Sequence, residues 1–178
     1  MSKDGAATGL MDEYLPALAK LSAEGLSIPI IASLWHPQIM DALIAGAQRA
    51  ADHARTFLPV DTPLIRVPGS FELPVAAARL AGEHDALVSI GVVIRGDTPH
   101  FEYVCQAATA GLTQVAVSTG TPVGFGVLTV DNETQAVARA GGPGASEDKG
   151  YEAFEAAIVT LASLGLGKSS QAPLTLKA

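Results

Sequence analysis

Cysteine, charged side chains and long apolar runs are scarce in this 178-residue sequence, and each scarcity excludes a class of protein. The single cysteine, Cys105, excludes an internal disulfide and a zinc site built from cysteines. No run approaches the roughly 18–20 apolar residues that a membrane-spanning helix needs. The N-terminus lacks a basic segment followed by an apolar core, so we expect no signal peptide and a location in the cytoplasm.

Only 16% of the residues are charged, and the formal net charge is −7. Because no run of lysine and arginine is present, the chain lacks the basic field that nucleic-acid binding needs. Any bound anion must be held by local geometry, which favours a small ligand over a polymer. Hydrophobic residues make up 48% of the chain, so we expect part of its apolar surface to meet other subunits rather than water.

Apolar segments typical of strands alternate with helical segments through most of the chain. Strands are predicted at residues 28–34, 64–67, 86–94 and 123–130, helices begin near residues 37, 73 and 99, and two closing helices cover 133–140 and 150–164. The alternation and the uniformly apolar strands predict a three-layer α/β/α sandwich around a four-stranded, mainly parallel sheet. We expect one domain over residues 27–165, an N-terminal arm over 1–26 with a short helical segment at 11–21, and a frayed tail over 166–178.

Polar and aromatic residues collect where three of the predicted strands end. Trp35 and His36 follow the first strand, residues 69–72 follow the second, and residues 96–100 follow the third. Ligands of parallel α/β sheets bind beyond the carboxyl ends of the strands. This edge of the sheet is therefore the candidate site.

The segment after the third strand carries the strongest local signal. Thr98 suits an N-cap and Pro99 suits a first helical residue, so we expect a helix whose free N–H groups could bind an anion. His100, in the first turn, has an imidazole suited to moving protons near neutral pH. Taken alone, the segment is equally compatible with a simple helix cap and a solvated histidine.

Two other residues at this edge have a functional and a structural interpretation each. Glu72 could accept hydrogen bonds from a polyol or an amine, or it could be the acidic first-turn residue of a helix capped by Ser70. Trp35, the only tryptophan, could be a platform for a flat heterocycle, although a packed core position is commoner. The remaining residues of possible chemical interest, His36, His53 and His84, lack metal-ligand spacing and are expected at the surface, and Cys105 is expected in an inert core.

A glycine-rich loop lies between two cations, Arg139 and Lys149. A guanidinium and an ammonium together suit a phosphate and an anionic or carbonyl oxygen. The alternative is that Lys149 pairs with Glu147 and Asp148 at the surface. No Walker motif, dinucleotide-type glycine fingerprint or metal cluster is present, so the residues alone indicate an α/β enzyme or binder for a small phosphorylated or heterocyclic ligand.

Five ordered motifs between residues 28 and 164 resemble the lumazine synthase family. They are residues 69–74 (GSFELP), 91–101 (GVVIRGDTPHF), 126–129 (GVLT), Gln135 with 139–141 (RAG), and 149–150 (KG). The resemblance implies a flavodoxin-like topology. It also implies the condensation of 5-amino-6-(D-ribitylamino)uracil with 3,4-dihydroxy-2-butanone 4-phosphate in riboflavin biosynthesis, with no metal or organic cofactor.

The resemblance also implies a role for each matching residue. His100 is the expected proton carrier and catalytic residue. The pyrimidine and its ribityl chain are expected to contact Trp35, Ser70, Phe71, Glu72, Val92, Val93, Phe125 and Lys149, and the phosphate is expected to contact Gly96, Asp97, Thr98 and Arg139. Two features depart from the family pattern: the carboxylate of Asp97 beside the phosphate position should point away, and Glu102, where aspartate is frequent, could alter the orientation of His100.

In the family the site is shared between neighbouring subunits, and the adjacent subunit would supply Phe125, Arg139 and Lys149. We expect a homopentamer, with a decamer second and an icosahedral shell less favoured, because the loop over residues 139–149 looks longer than in shell-forming members. Two other functions are compatible with the same fold: a non-catalytic flavin or lumazine carrier, and a structural shell protein with a vestigial site. The presence of His100, Arg139 and Lys149 favours the enzyme.

Overall fold

Strands and helices alternate in the computed structural model, which describes residues 9–22 and 24–165. The strands are β1 (Leu26–Ser27), β2 (Ile30–Ser33), β3 (Val60–Asp61), β4 (Leu64–Val67), β5 (Leu87–Ile94) and β6 (Val123–Val130). The helices are α1 (Leu10–Leu21), α2 (Pro37–Arg55), α3 (Leu73–Leu80), α4 (His100–Thr119), α5 (Glu133–Val137) and α6 (Lys149–Leu164), and a short 3-10 turn covers Ser70–Glu72. Within the described ranges, no helix combines the length and the apolar character that crossing a bilayer requires.

The main sheet has four parallel strands in the order β4-β2-β5-β6. This order is that of flavodoxin-like folds, which confirms the predicted four-stranded parallel sheet. A second, two-stranded sheet, β1-β3, extends the β2-β4 pair in the same register. The breaks fall at Pro29 and Pro63, which have no N–H to donate, while Ile28 N–H still donates to the Asp61 carbonyl (2.8 Å).

Helices cover both faces of the sheet, as the three-layer prediction requires. Side chains alternate along β5, so that Val88, Ile90 and Val92 share one hydrophobic core with α2 and α6. Leu87 belongs to a second core, formed with residues of α3 and α4 such as Leu112. Both faces of β5 are buried, which explains its uninterrupted apolar sequence.

Helix α6 packs so closely on α2 that a glycine is needed at the contact. A Cβ atom on Gly150 would overlap the backbone carbonyl of Leu43 in α2. Asp148 caps α6 by accepting a hydrogen bond from Tyr151 N–H (3.0 Å), and its carboxylate also pairs with Arg49 of α2. These contacts fix the start of α6, where Lys149 lies.

Helix α1 confirms the short helical segment predicted at residues 11–21, and it packs on the main core. Met11, Leu15 and Leu18 lie on one face of α1 and are at most 1% exposed. The helix is tied down at its start by Asp12, which contacts His53 Nε2 (3.0 Å). Its apolar stripe is narrow, and Pro16 lies inside the helix on the exposed side, so the period is weak in the sequence. The predicted tail, residues 166–178, lies outside the described residues.

Candidate functional site

A cavity of about 500 Å³ opens at the carboxyl ends of β2 and β5, between the 3-10 turn after β4 and the first turn of α4. It is lined by Trp35, His36, Gly69, Ser70, Phe71, Glu72, Val92, Val93, Ile94, His100 and Val104. Its walls are apolar and aromatic, with a carboxylate and two imidazoles among them. The cavity lies where the α/β topology places ligands, beside the central strands β2 and β5.

Trp35 and Phe71 are aromatic residues of the cavity that the core does not cover. Their side chains are 68% and 60% exposed, respectively. The alternative in which Trp35 is a packed core residue is therefore wrong. Gly69 leaves room beside the indole: a Cβ atom there would lie 3.9 Å from Trp35 Nε1 and 3.1 Å from Glu72 Oε2. An aromatic face and a carboxylate thus lie close together on one side of the cavity.

Ser70 fastens the 3-10 turn to the end of β5. It is 5% exposed, and its hydroxyl donates to the Val92 carbonyl (3.3 Å). Gly91 permits this approach, because a Cβ atom at that position would lie only 2.5 Å from Ser70 Oγ. A ligand in the cavity would therefore meet the oxygen of Ser70 as an acceptor, since its hydrogen is already used.

Helix α4 begins at His100, and Pro99 takes the N-cap position with φ −63° and ψ −1°. The prediction that Thr98 caps this helix is wrong. Within the described part of the chain no side chain makes the cap hydrogen bond, and the Pro99 carbonyl accepts the first one, from Glu102 N–H (3.1 Å). His100 is exposed and lines the cavity. Among the described residues its imidazole has no hydrogen-bond partner, so both ring nitrogens can meet a ligand.

Arg95 forms an ion pair with Glu102, so the Glu102 carboxylate is directed to Arg95 and not to His100. The guanidinium pairs with Glu102 and with Asp131 (3.0 Å) and lies over the ring of Phe101, 4.2 Å from its centre. Hydrogen bonding from Arg95 lowers the pKa of Glu102, and hydrogen bonds to Glu102 and Asp131 raise the pKa of Arg95. The expected influence of Glu102 on the orientation of His100 is therefore not a direct contact in this chain.

The predicted phosphate residues Gly96, Asp97 and Thr98 form the exposed segment between β5 and Pro99. They stand directly before His100, at the entrance to α4. They do not belong to the cavity wall of the same chain, and neither do Phe125, Arg139 and Lys149. Phe125 lies on β6 with 44% of its surface exposed. The cavity thus contains His100 and most of the residues predicted to bind the pyrimidine and its ribityl chain. Phe125 and the two cations, Arg139 and Lys149, lie elsewhere on the chain.

Arg139 and Lys149 are linked through Glu147. Lys149 Nζ contacts Glu147 Oε2 (2.9 Å) and Glu152 Oε2 (2.6 Å), while Arg139 Nε lies 3.7 Å from Glu147 Oε1. Burial opposes the charge of Lys149, but its two carboxylate partners outweigh that effect and raise its pKa. The surface pairing predicted as the alternative is therefore present for Glu147, whereas Asp148 caps α6 instead.

His36 is exposed as predicted and lies at the candidate edge, but it also lines the cavity, a role that the sequence did not indicate. It follows Trp35 in the left-handed backbone region, with φ 57° and ψ 64°. The sequence feature that could have indicated its role is its position between Trp35 and Pro37, at the point where a strand ends and a helix begins. His53 and His84 have structural partners, Tyr151 OH and Ser27 Oγ, each at 2.8 Å.

Cys105 was predicted to lie in the core, and the structure contradicts this prediction. It is half-buried and lines a shallow groove on α4 with Phe101 and Thr129, and burial raises the pKa of its thiol. Across the described residues, no group of three or more histidine, cysteine, aspartate or glutamate side chains is arranged to hold a metal ion.

The fold and the cavity define a flavodoxin-like α/β protein with a small-molecule site at the carboxyl ends of its parallel strands. A family model described as 6,7-dimethyl-8-ribityllumazine synthase matches residues 25–164. The chain belongs to this family.

Curated relatives carry the same name. The 6,7-dimethyl-8-ribityllumazine synthase of Paenarthrobacter aurescens is 60% identical over 150 residues, which cover 84% of this chain and 91% of the relative. That of Renibacterium salmoninarum is 58% identical over 156 residues, covering 84% and 96%. That of Cutibacterium acnes is 54% identical over 155 residues, covering 87% and 92%. These matches span nearly the whole length of each relative.

Proposed function

We propose that this chain catalyses the formation of 6,7-dimethyl-8-ribityllumazine in riboflavin biosynthesis. The substrates are 5-amino-6-(D-ribitylamino)uracil and 3,4-dihydroxy-2-butanone 4-phosphate, and phosphate and water are released. The observation that carries the proposal is the cavity, in which an exposed indole, a carboxylate and the exposed imidazole of His100 converge in a member of this family. The reaction forms carbon–nitrogen bonds with loss of water and phosphate and without net oxidation, so it needs no external oxidant or reductant.

In this proposal the pyrimidine lies against Trp35 and the apolar side chains of Val92 and Val93. The 3-10 turn binds the ribityl chain, with Glu72 accepting hydrogen bonds from its hydroxyls and Ser70 offering a lone pair. Phe71 covers the ribityl chain on the side that faces solvent. The exposure of both aromatic rings supports this placement, because an apolar ring left uncovered at a cavity is available to a flat ligand.

His100 carries protons in the proposed reaction. Its imidazole takes and returns protons as the amine adds to the ketone, phosphate leaves and the ring closes. The exposed segment of Gly96, Asp97 and Thr98 offers backbone N–H groups and a hydroxyl to the phosphate beside it. The absence of a partner for His100 among the described residues supports this role, since a proton carrier must have a free nitrogen.

We further propose that the site is completed by a neighbouring copy of the chain in a pentamer, with a decamer as the second choice. Phe125, Arg139 and Lys149 would enter the adjacent subunit's cavity, where Arg139 binds the phosphate and Lys149 the oxygen side of the pyrimidine. Their position away from the cavity of their own chain supports this arrangement. The cytoplasmic location remains a prediction.

The test of the function is to mix both substrates with purified protein and measure fluorescent lumazine, with a metal chelator present. We expect product well above the slow uncatalysed rate. His100→Ala should lower turnover by about 10²–10⁴-fold while changing substrate binding much less. If the wild-type protein forms no product above the uncatalysed rate, the proposed function is wrong. An equal loss of binding and turnover in the variant would make His100 a packing residue.

A further inference from the structure

One carboxylate, Glu147, contacts both cations that the proposed site needs. Its two oxygens are divided between them: Oε1 lies 3.7 Å from Arg139 Nε, and Oε2 lies 2.9 Å from Lys149 Nζ. The side chain of Glu147 is 18% exposed, against 38% for Arg139 and 26% for Lys149. The most sheltered member of the group is thus the anion between the two cations, and hydrogen bonding to Lys149 lowers its pKa.

The backbone holds this group in place from both sides of the glycine-rich loop. Gly141 N–H donates to the Glu147 carbonyl (3.0 Å), and Glu147 N–H donates to the Ala138 carbonyl (3.1 Å). Lys149 N–H donates to the Arg139 carbonyl (3.0 Å). These bonds hold the backbone segments that carry the three charged residues side by side, so their side chains start close together.

The two cations have different ligands in the proposed function, on which this inference rests. Arg139 meets a phosphate, and Lys149 meets a neutral ring. A negative charge fixed beside Arg139 competes with a phosphate for the guanidinium, whereas the same charge beside Lys149 orients the ammonium without competing for a neutral ligand.

We propose that Glu147 is a specificity-determining positioning residue that weakens the hold of Arg139 on phosphate and keeps Lys149 in place for the pyrimidine. The first effect allows the phosphate released in the reaction to leave. The second effect keeps the flexible lysine side chain in one orientation. Removal of the charge should therefore change the affinities for the two kinds of ligand in opposite directions.

Glu152 provides a matched control. Its carboxylate contacts the same Lys149 Nζ at 2.6 Å, one turn further along α6, and the structure gives it no contact with Arg139. Glu152→Gln removes one charge and one partner of Lys149, as Glu147→Gln does. Only the latter removes the charge beside Arg139.

The experiment measures inorganic phosphate binding by calorimetry and the KM of each substrate for wild type, Glu147→Gln, Glu147→Ala, Glu147→Asp and Glu152→Gln. A unit charge near 4 Å is worth roughly fivefold in watery surroundings, so we expect phosphate to bind about three- to tenfold more tightly to both neutral Glu147 variants. Their KM for the pyrimidine should rise. Glu147→Asp should restore phosphate binding to the wild-type level, and Glu152→Gln should raise the pyrimidine KM with phosphate binding unchanged.

Unchanged or weaker phosphate binding in Glu147→Gln and Glu147→Ala overturns the inference. So does a gain in phosphate affinity in Glu152→Gln that equals the gain in Glu147→Gln. Changes of the same sign for both ligands also overturn it, because a merely structural role would loosen both. Phosphate binding is measured without turnover. A wild-type protein that forms no lumazine therefore refutes the proposed function, while the phosphate comparison still decides the role of Glu147.

Discussion

At the scale of single residues, the hydroxyl of Ser89 stands out within the described part of the chain, because it is buried without a hydrogen-bond partner. Ser89 is on β5, paired with Ile31 and Phe125 of the adjacent strands. Its side chain has the same orientation as that of Leu87, two residues earlier, which faces the core between the sheet and α3–α4. A polar atom without a partner in such a place lowers stability.

Ser89→Ala should therefore stabilise the protein, by about 1 kcal/mol in the free energy of unfolding. The measurement is the midpoint of urea denaturation. Ser33→Ala is the matched control, because Ser33 is equally buried on β2 but its hydroxyl contacts Met40 Sδ (3.5 Å). A loss of stability in Ser89→Ala would show that the hydroxyl has a partner in the folded protein, and would contradict the prediction.

Residue types and their order were enough to find most of the cavity, but not every member. Trp35, Glu72 and His100 could be predicted because each is an unusual residue at the end of an apolar strand. The place of His36 in the cavity wall could not, since its side chain reaches the cavity from a left-handed backbone conformation that residue type does not reveal. The cap at α4 was missed for a similar reason: Thr98 has the right side chain, but Pro99 takes its position.

At the scale of elements, the close contact between α2 and α6 depends on Gly150. We predict that Gly150→Ala destabilises the protein by about 1–3 kcal/mol or more, because the added methyl group would overlap the Leu43 carbonyl, which is backbone and cannot rotate away. Thermal unfolding measures the effect.

Gly144→Ala serves as a comparison for the loss of a glycine. Its Cβ atom would meet nothing within 4 Å, although its φ of +78° adds backbone strain. Gly150→Ala should be the more damaging change. If the two variants unfold at the same temperature, steric overlap at α6 does not set the requirement for glycine.

The strands and helix α1 could be predicted from local pattern, but the packing of α1 on the core could not. The predicted strands at residues 64–67 and 123–130 coincide with β4 and β6, because their apolar runs end at turn residues. The stripe of α1 is narrow, and its burial depends on contacts with α6 that are distant in the sequence. Local pattern indicates the helix, while its burial depends on tertiary packing.

At the scale of the whole molecule, Arg139 and Lys149, which flank the glycine-rich loop, do not line the cavity of their own chain. The proposed assembly brings them to the cavity of a neighbouring copy. A subunit-mixing experiment tests this directly. His100→Ala and Arg139→Ala should each have low activity alone. Co-assembled in equal amounts, they should regain activity at about a quarter of the sites, since each shared site takes His100 from one copy and Arg139 from its neighbour.

Co-purification of the two variants through different affinity tags is the control that the subunits have mixed, and light scattering gives the native mass of the assembly. Activity no higher than the sum of the two variants, in assemblies shown to be mixed, would contradict a shared site. A mass near that of a shell would contradict the pentamer. The sequence predicted this division only through family resemblance, because no local pattern states which surface of a second copy a side chain will meet.

Trp35 has a practical consequence that follows from its place in the cavity. The chain contains one tryptophan, and its indole is 68% exposed at the site. Emission excited at the red edge of protein absorption therefore comes from the cavity wall alone, without a background from other indoles. Quenching or a shift in wavelength reports occupancy of the site in real time, without a label, and an inactive variant can be titrated with the same signal as the active enzyme.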